Sequence, residues 1–435
     1  MKITVVGTGY QGLVLGTCLA ENGHNVTCVD RKADRVEGLS RGEIHFHEPG
    51  LEELIARNIE EERLKFTTDL GKAVDGCLIT FLCVGTPADI HGIVNLEDIE
   101  NAIRDIGKAL TGYSIVVNKS TCPPGTGDHL EEVLREASDH TCDLVVNPDF
   151  LKEGNAVDDF MRPDRVVVGC DDVRVREIMK ELYSPFLRTG KPFLPMDRRS
   201  AEMTKYATIV MLASRISTMN QLADICGATG ADVSLVREGV ASDERIGSAF
   251  LFPGLGYGGF SLPKDIATCI NIAKEGGADP ALIEAIASTN DKRQAGFIQT
   301  VLAHYGQDIS QKRIALWGVS FKPRTDSLRG APALKIIQAL CDAGAEVIAY
   351  DPVASEKLKE KFGDKITIVH KYYQALENVD GLIISTEWNE FRRPDYQRMG
   401  TLMREKTIFD GRNLYTPSVM AENGFKYISI GRPAV

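Results

Sequence analysis

Apolar positions along this chain fall into two alternating rhythms. Residues 3–6, 26–29, 78–84, 115–118, 144–147 and 165–168 are short runs rich in Val, Ile and Leu, as strands buried on both faces require. Between them lie amphipathic stretches at 13–21, 51–59 and 96–110, which read as helices. Strands alternating with helices predict a parallel sheet covered on both faces. Residues 200–228 then predict one long helix carrying Ala201, Tyr206, Ile209, Leu212, Ile216, Met219, Leu222 and Ile225, with Ser200 as its N-cap and Gly227 as its stop. A helix this long and this apolar suits a joint between domains or a face for a partner subunit. Another helix is predicted at 282–302. Near Arg313 the alternation resumes: 314–318, 333–343 and 347–350 with Asp351 repeat the plan of 3–7, 13–20 and 26–30, and two more strands fall at 382–385 and 407–410. The predicted fold class is α/β, with two doubly wound parallel-sheet domains flanking a helical middle.

Composition narrows the function. The chain has 435 residues, and at roughly 150 residues per domain that suggests about three domains. Lys and Arg number 50 against 61 Asp and Glu, a net charge of −11. An acidic chain without a basic block is a poor ligand for nucleic acid, although a small phosphorylated molecule can be met locally by a few Arg, Lys and backbone N–H groups. Met1-Lys2 leads straight into a strand and its glycines with no cleavage-type site, and no apolar run approaches the ~20 residues of a spanning helix. The ten cysteines form no CxxC pair and sit mostly among aliphatic residues. The expectation is a reduced, soluble, cytoplasmic protein without a membrane partner.

Gly7-Thr8-Gly9-Tyr10-Gln11-Gly12 follows a predicted strand and opens a predicted helix, and Asp30 ends the next strand. Glycines there let the backbone approach a pyrophosphate seated on the helix N-terminus. Asp30 stands where a carboxylate bonds the ribose 2′-OH and repels the extra phosphate of NADP. NAD is the predicted cofactor, and the domain is Rossmann-like.

Further along lie Cys83-Val84-Gly85-Thr86-Pro87, Lys119-Ser120-Thr121, Asn147-Pro148-Asp149-Phe150-Leu151-Lys152-Glu153-Gly154 and Gly256-Tyr257-Gly258-Gly259-Phe260-Ser261-Leu262-Pro263-Lys264-Asp265. With Glu48-Pro49-Gly50-Leu51, Ala201-Glu202-x-x-Lys205-Tyr206-Ala207, Phe321-Lys322-Pro323, Arg329 and Asp410-Gly411-Arg412, the chain resembles the UDP-glucose/GDP-mannose dehydrogenases from end to end. Members of that family oxidise the C6 hydroxymethyl of a nucleotide sugar to a carboxylate with two NAD⁺. The resemblance implies an NAD-binding domain at 1–197, a helical dimerising domain at 198–305 and a nucleotide-sugar domain at 306–435. It implies that Gly7, Gly9, Tyr10, Gln11, Gly12, Asp30, Arg35, Thr86, Thr121, Glu153, Lys264 and Arg329 line the cofactor site. Phe150, Leu151, Glu153, Lys205, Ile209, Phe250, Gly258, Phe321, Lys322 and Arg412 would hold the sugar nucleotide, with Arg245 reaching in from a neighbouring subunit. Thr121, Asp149, Lys205, Ser261 and Asp265 occupy the catalytic positions. Thr121 and Asp265 would hold a water that relays the hydroxyl proton, while the Lys205 ammonium stabilises the alkoxide. Tyr257-Gly258-Gly259 points towards the uridine branch.

Three departures fall on the family's second oxidation. Ser261 stands where the family has its nucleophilic Cys, Asp149 where it has the Glu that activates water, and Ile209 where it has an Asn that donates to the oxyanion. A serine hydroxyl is a weak nucleophile without an adjacent base. Asp149 shortens the carboxylate's reach, and Ile209 removes a donor. Cys269 is eight residues beyond Ser261 on a predicted helix, ~12 Å away, and reads as core. Among softer differences, Gln11 stands where the family usually has Val, and Phe260 and Phe252 add bulk. His45-x-His47-Glu48 reads as surface polar residues, so no metal is predicted. The expected activity is oxidation of a nucleotide sugar, a UDP-hexose, to the aldehyde, by a homodimer or larger homo-oligomer. The alternative is a relative that binds NAD and a nucleotide sugar without net oxidation.

Overall fold

The computed structural model describes residues 1–188, 190–306 and 309–435. The chain divides into two compact units, Met1–Thr208 and Ile209–Val435.

The first unit is built on an eight-stranded sheet: β1 (Lys2–Val6), β2 (Asn25–Val29), β3 (Leu64–Thr67), β4 (Ile79–Leu82), β5 (Ser114–Asn118), β6 (Cys142–Val146), β7 (Val166–Gly169) and β8 (Phe193–Met196). Their order is β3-β2-β1-β4-β5-β6-β7-β8. The reversal of strand order between β1 and β4 opens the crevice in which such sheets bind ligands. Successive residues of β5 serve opposite faces: Val117 packs with Ile3, Val5 and Phe81, while Val116 packs with Leu82, Ile99 and Leu144. That alternation is why the strand reads as one unbroken apolar run. The sheet is not parallel throughout, because β7 meets β6 antiparallel through Val146 and Gly169. The short strands β3 and β8 escape the sequence pattern, since β8 is largely exposed and contains Pro195.

The second unit carries a six-stranded sheet of β9 (Arg313–Trp317), β10 (Glu346–Tyr350), β11 (Thr367–Ile368), β12 (Gly381–Ile384), β13 (Thr407–Asp410) and β14 (Lys426–Ser429), in the order β11-β10-β9-β12-β13-β14. All its pairings are parallel. The repeat expected from the sequence extends to the first turn. Gly7 (φ 98°) donates its N–H to the Val29 carbonyl and Gly318 (φ 80°) to the Tyr350 carbonyl, both at 2.8 Å. These left-handed turns favour glycine.

The long helix spans Arg198–Thr229 and lies across the division between the units. Its ends differ from the sequence expectation. Asp197 Oδ1 accepts the Ser200 N–H at 2.9 Å, so Asp197 is the cap and Ser200 lies within the first turn. Gly227 is inside the helix, and the left-handed Gly230 (φ 76°) ends it, as a residue at that conformation must. Among the described residues no helix is long and apolar enough to cross a membrane. Each of the ten cysteines is a free thiol, and Cys269 is buried.

Within the first unit, Glu202 ties this helix to another. The helix Thr126–Ala137 starts from left-handed Gly125 with no side-chain cap of its own. Glu202 supplies one, accepting the N–H groups of Gly125 at 2.6 Å and Gly127 at 2.7 Å while only 3% exposed. Burial raises its carboxyl from the ordinary 4.5 to about 7, against the two N–H bonds, which lower it. The native chain therefore holds this proton more tightly than the unfolded chain does. Its contribution to stability is largest below about 4.5 and falls as pH rises to about 7. Relative to wild type, Glu202→Gln is expected to gain stability as pH rises from about 5 to 7.5, on the order of 1–3 kcal/mol. Thermal unfolding across that range checks this, and parallel curves for the two proteins would contradict it.

Candidate active site

The first unit gathers its candidate residues at the C-terminal ends of β1, β4, β5 and β6. The loop Gly7–Gly12 leaves β1 and enters the helix Tyr10–Glu21, whose N-terminus has no side-chain cap. A side chain at Gly12 would strike the Gly7 carbonyl, whereas one at Gly9 would enter open space. A loop with uncapped N–H groups and a clear face at Gly9 fits a dinucleotide pyrophosphate.

Asp30 braces this loop. Its Oδ2 accepts the Thr8 N–H at 3.0 Å, the Thr8 hydroxyl at 2.7 Å and Arg35 Nη1 at 3.0 Å, and its Oδ1 accepts the Lys32 N–H at 3.0 Å. Burial pushes this carboxyl up, but the Thr8 hydroxyl, the two N–H groups and Arg35 outweigh it and hold the group below the ordinary range. Tyr10 donates to Glu48, which also accepts the N–H groups of Gly154 and, at 2.7 Å, Ala156. Glu48 is 3% exposed, which corrects its reading as a surface residue: it is buried because it satisfies the backbone around Gly154, next to Glu153. Thr86 donates its hydroxyl to the Thr121 carbonyl at 2.7 Å, and Ser120 to Val84 at 2.6 Å, so the loops after β4 and β5 are tied together.

At the end of β6 three candidates meet. Lys205 Nζ donates to the main-chain oxygen of Asp149 at 2.8 Å and lies 3.3 Å from its Oδ1. Gln11 donates to Asp149 Oδ2 and, at 2.9 Å, to the Lys119 carbonyl. The Lys205 side chain is 7% exposed. Its ammonium sits 5.6 Å from the centre of the Phe150 ring, and Arg165 stacks on that ring at 3.5 Å. A small cavity of about 70 Å³ is lined by Lys119, Asn147, Phe150, Leu151, Arg165 and Tyr183. Burial lowers the Lys119 ammonium's pKa; Nζ lies 3.1 Å from Asn147 Oδ1, which also accepts the Tyr183 hydroxyl at 2.6 Å.

The sequence assigns no role to Glu202 or Arg165, and the family resemblance places Gln11 in the cofactor site without linking it to Asp149. A carboxylate three residues before Lys205 was the one legible sign for Glu202. For Arg165 no local pattern distinguishes a stacked arginine from a solvated one.

The second unit assembles another group of candidates. Ser261 opens the helix Ser261–Glu275. Among the described residues no side chain hydrogen-bonds to its hydroxyl. Asp265 is 1% exposed, and its Oδ1 lies 2.8 Å from Lys264 Nζ, yet among the described residues neither atom has a hydrogen-bonding partner of good geometry. Charges so placed are satisfied electrostatically and still have directions open to a ligand. Ile209, 6% exposed, joins Ala213, Tyr257, Ile266 and Ile286 in an apolar cluster.

Gly258 and Gly259 bring backbone close to backbone. A side chain at Gly258 would overlap the Gly330 carbonyl, and left-handed Gly259 (φ 86°) faces the Phe321 ring and donates to the Arg329 carbonyl at 2.9 Å. Arg329 stacks on Phe260 at 4.9 Å. Arg412 donates to Ser385 O at 2.8 Å and to Phe321 O at 3.3 Å, and pairs with Glu387 at 3.2 Å. Lys322 lies next to Phe321 in sequence. Phe250 adopts a left-handed φ of 60°, uncommon for a side chain of this size. The loop before it is held by Arg215, which donates to Gly247 O and Ala249 O. Arg245 is exposed and pairs with Asp243.

Known proteins share this architecture. Residues 1–187 match the NAD binding domain of the UDP-glucose/GDP-mannose dehydrogenase family, residues 199–292 its central domain and residues 315–417 its UDP binding domain. The chain is 43% identical to a UDP-glucose 6-dehydrogenase of Rhizobium meliloti (strain 1021) over 100% of both chains. It is 40% identical to one from Pseudomonas aeruginosa, over 100% of this chain and 98% of that protein. A UDP-glucose dehydrogenase structure from Pyrobaculum islandicum superposes with a TM-score of 0.91 at 33% identity, covering 99% of this chain and 98% of the other. The chain belongs to the UDP-glucose/GDP-mannose dehydrogenase family and is an NAD-dependent oxidoreductase of nucleotide sugars.

Proposed function

We propose that the chain oxidises the C6 hydroxymethyl of a UDP-hexose to the aldehyde and releases it there. The relatives named UDP-glucose 6-dehydrogenase make UDP-glucose the first substrate to test. The reading includes a cofactor part at 1–197, a subunit-contact part at 198–305 and a nucleotide-sugar part at 306–435, in a cytoplasmic homodimer or larger homo-oligomer.

Bound NAD⁺ supplies the hydride acceptor. The remaining work belongs to the chain. The observation that carries the reading is the Lys205 ammonium, 7% exposed and oriented by both Asp149 oxygens it contacts. An ammonium donates three hydrogens, and two are engaged by Asp149, which leaves one for the sugar oxygen as it loses its proton. A buried positive charge aimed at a developing alkoxide gains from its low-dielectric surroundings. Thr121 and Asp265 take the relay role implied by the family resemblance, and the unbonded Asp265 Oδ1 is an acceptor of the required kind. Gly7, Gly9, Tyr10, Gln11, Gly12, Asp30, Arg35, Thr86, Glu153, Lys264 and Arg329 serve the cofactor. Phe150, Leu151, Phe250, Gly258, Phe321, Lys322 and Arg412 serve the sugar nucleotide, with Arg245 donated to a neighbouring subunit.

The second oxidation lacks its tools. Among the described residues no base engages Ser261, the Asp149 carboxylate is occupied by Gln11, Lys205 and the Leu151 N–H, and Ile209 is part of an apolar cluster. With UDP-glucose and NAD⁺, one NADH per sugar is expected, and the product should form an oxime with hydroxylamine. Two NADH per sugar with free uronate would contradict the reading. Replacing Ser261→Cys, Asp149→Glu and Ile209→Asn, together with Gln11→Val to free the longer carboxylate, is expected to raise the yield to two NADH per sugar. A variant that still binds both ligands and yields one NADH would show that the lost step has another cause.

A further inference from the structure

Gln11 does more than form a turn. Its side-chain nitrogen carries two hydrogens, and both are used: one on the Lys119 carbonyl at 2.9 Å, the other on Asp149 Oδ2. Asp149 is then bonded on every oxygen. Its Oδ1 accepts the Leu151 N–H at 3.2 Å and faces Lys205 Nζ at 3.3 Å, while its main-chain oxygen accepts Lys205 Nζ at 2.8 Å.

We propose that Gln11 is a positioning residue for Lys205, acting through Asp149 and so tying the glycine-rich loop to the ammonium on the long helix. What Lys205 then does rests on the function proposed above; the linkage itself does not. The torsion that orients an aspartate carboxylate has broad wells, so one N–H and one ammonium do not fix it. A second donor on the far oxygen does. An amide donating to a carboxylate forms a charge-assisted bond, stronger than a neutral one. Because Gln11 is also anchored on the carbonyl of Lys119, the residue that follows β5, it carries the rigidity of the sheet to Asp149. It also occupies Oδ2, which would otherwise compete for the third ammonium hydrogen. Losing the clamp frees the carboxylate to turn and draw Lys205 with it, and misplacements of ~1 Å cost up to 10²-fold in such sites.

The test reads Lys205 directly, without sugar or cofactor. Wild type and Gln11→Met, which keeps length and removes both donors, are treated at one pH with an amine-directed acylating reagent. Modification of Lys205 is followed by peptide mass spectrometry. The expected result is acylation faster by ~10-fold in Gln11→Met, the scale of one lost charge-assisted hydrogen bond. Lys264 in the other unit should keep its wild-type rate. Gln11→Val, which also removes both donors, is expected to show a rise of similar size. Equal Lys205 rates in wild type and Gln11→Met would overturn the proposal. So would a parallel rise at Lys264, which marks general loosening, or a wild-type Lys205 rate in Gln11→Val. Absence of turnover with any nucleotide sugar would instead overturn the proposed function, leaving this comparison standing.

Discussion

Buried carboxylates that accept backbone N–H groups are the constraint on which the rest of this structure depends. A charge taken from water must be met by donors or it destabilises the fold. Here each is met by the turn it is needed to shape. Asp30 holds Thr8, and its counterpart Asp351 accepts Val319 N at 2.7 Å and Ser320 N at 3.1 Å in the second unit. Glu48 holds Gly154 and Ala156, and Glu202 holds Gly125 and Gly127. Asp410, wholly buried, takes the Leu414 N–H and the Tyr427 hydroxyl, both at 2.7 Å, and so fixes the loop that presents Arg412. Loops pinned in this way acquire the rigidity of the strands they leave, as sites built for precise positioning require.

Asp149 belongs to this group with one difference. Its carboxylate meets a backbone N–H at Leu151, but its other partners are the side chains of Gln11 and Lys205. A carboxylate so occupied serves as a fixed acceptor and is poorly placed to take a proton from water. Ile209 makes the same point in the second unit. Its place among Tyr257, Ile266 and Ile286 is apolar, and its side chain offers no hydrogen-bond donor. Under the proposed function the chemistry that survives is electrostatic, carried by a buried ammonium, and the chemistry that is missing is nucleophilic.

Much of the fold was legible in the sequence because buried parallel strands announce themselves as continuous apolar runs. Residues 3–6 and 407–410 lie within β1 and β13. The strand β8 was not legible, since its edge exposure and Pro195 erase the signal. The ends of the long helix were misplaced because Ser200 and Gly227 carry capping residue types, while Asp197 and Gly230 carry the capping geometry. The glycine-rich turn between a strand and a helix was readable from spacing, whereas the bracing of that turn by Asp30 through Thr8 was not. Glu48 was misread because its neighbours His45 and His47 suggested a polar surface, and only distant backbone at Gly154 explains its burial. The Gln11–Asp149 bond spans 138 positions of sequence, and no local rule connects them.

In the proposed reaction the sugar carbonyl is never held by sulfur. Intact-mass measurement of the chain, quenched during turnover with UDP-glucose and NAD⁺, tests this most directly. The chain is expected to keep its unmodified mass at every time point. A population heavier by one sugar nucleotide, mapped to Cys269, Cys83 or any other thiol, would contradict the account.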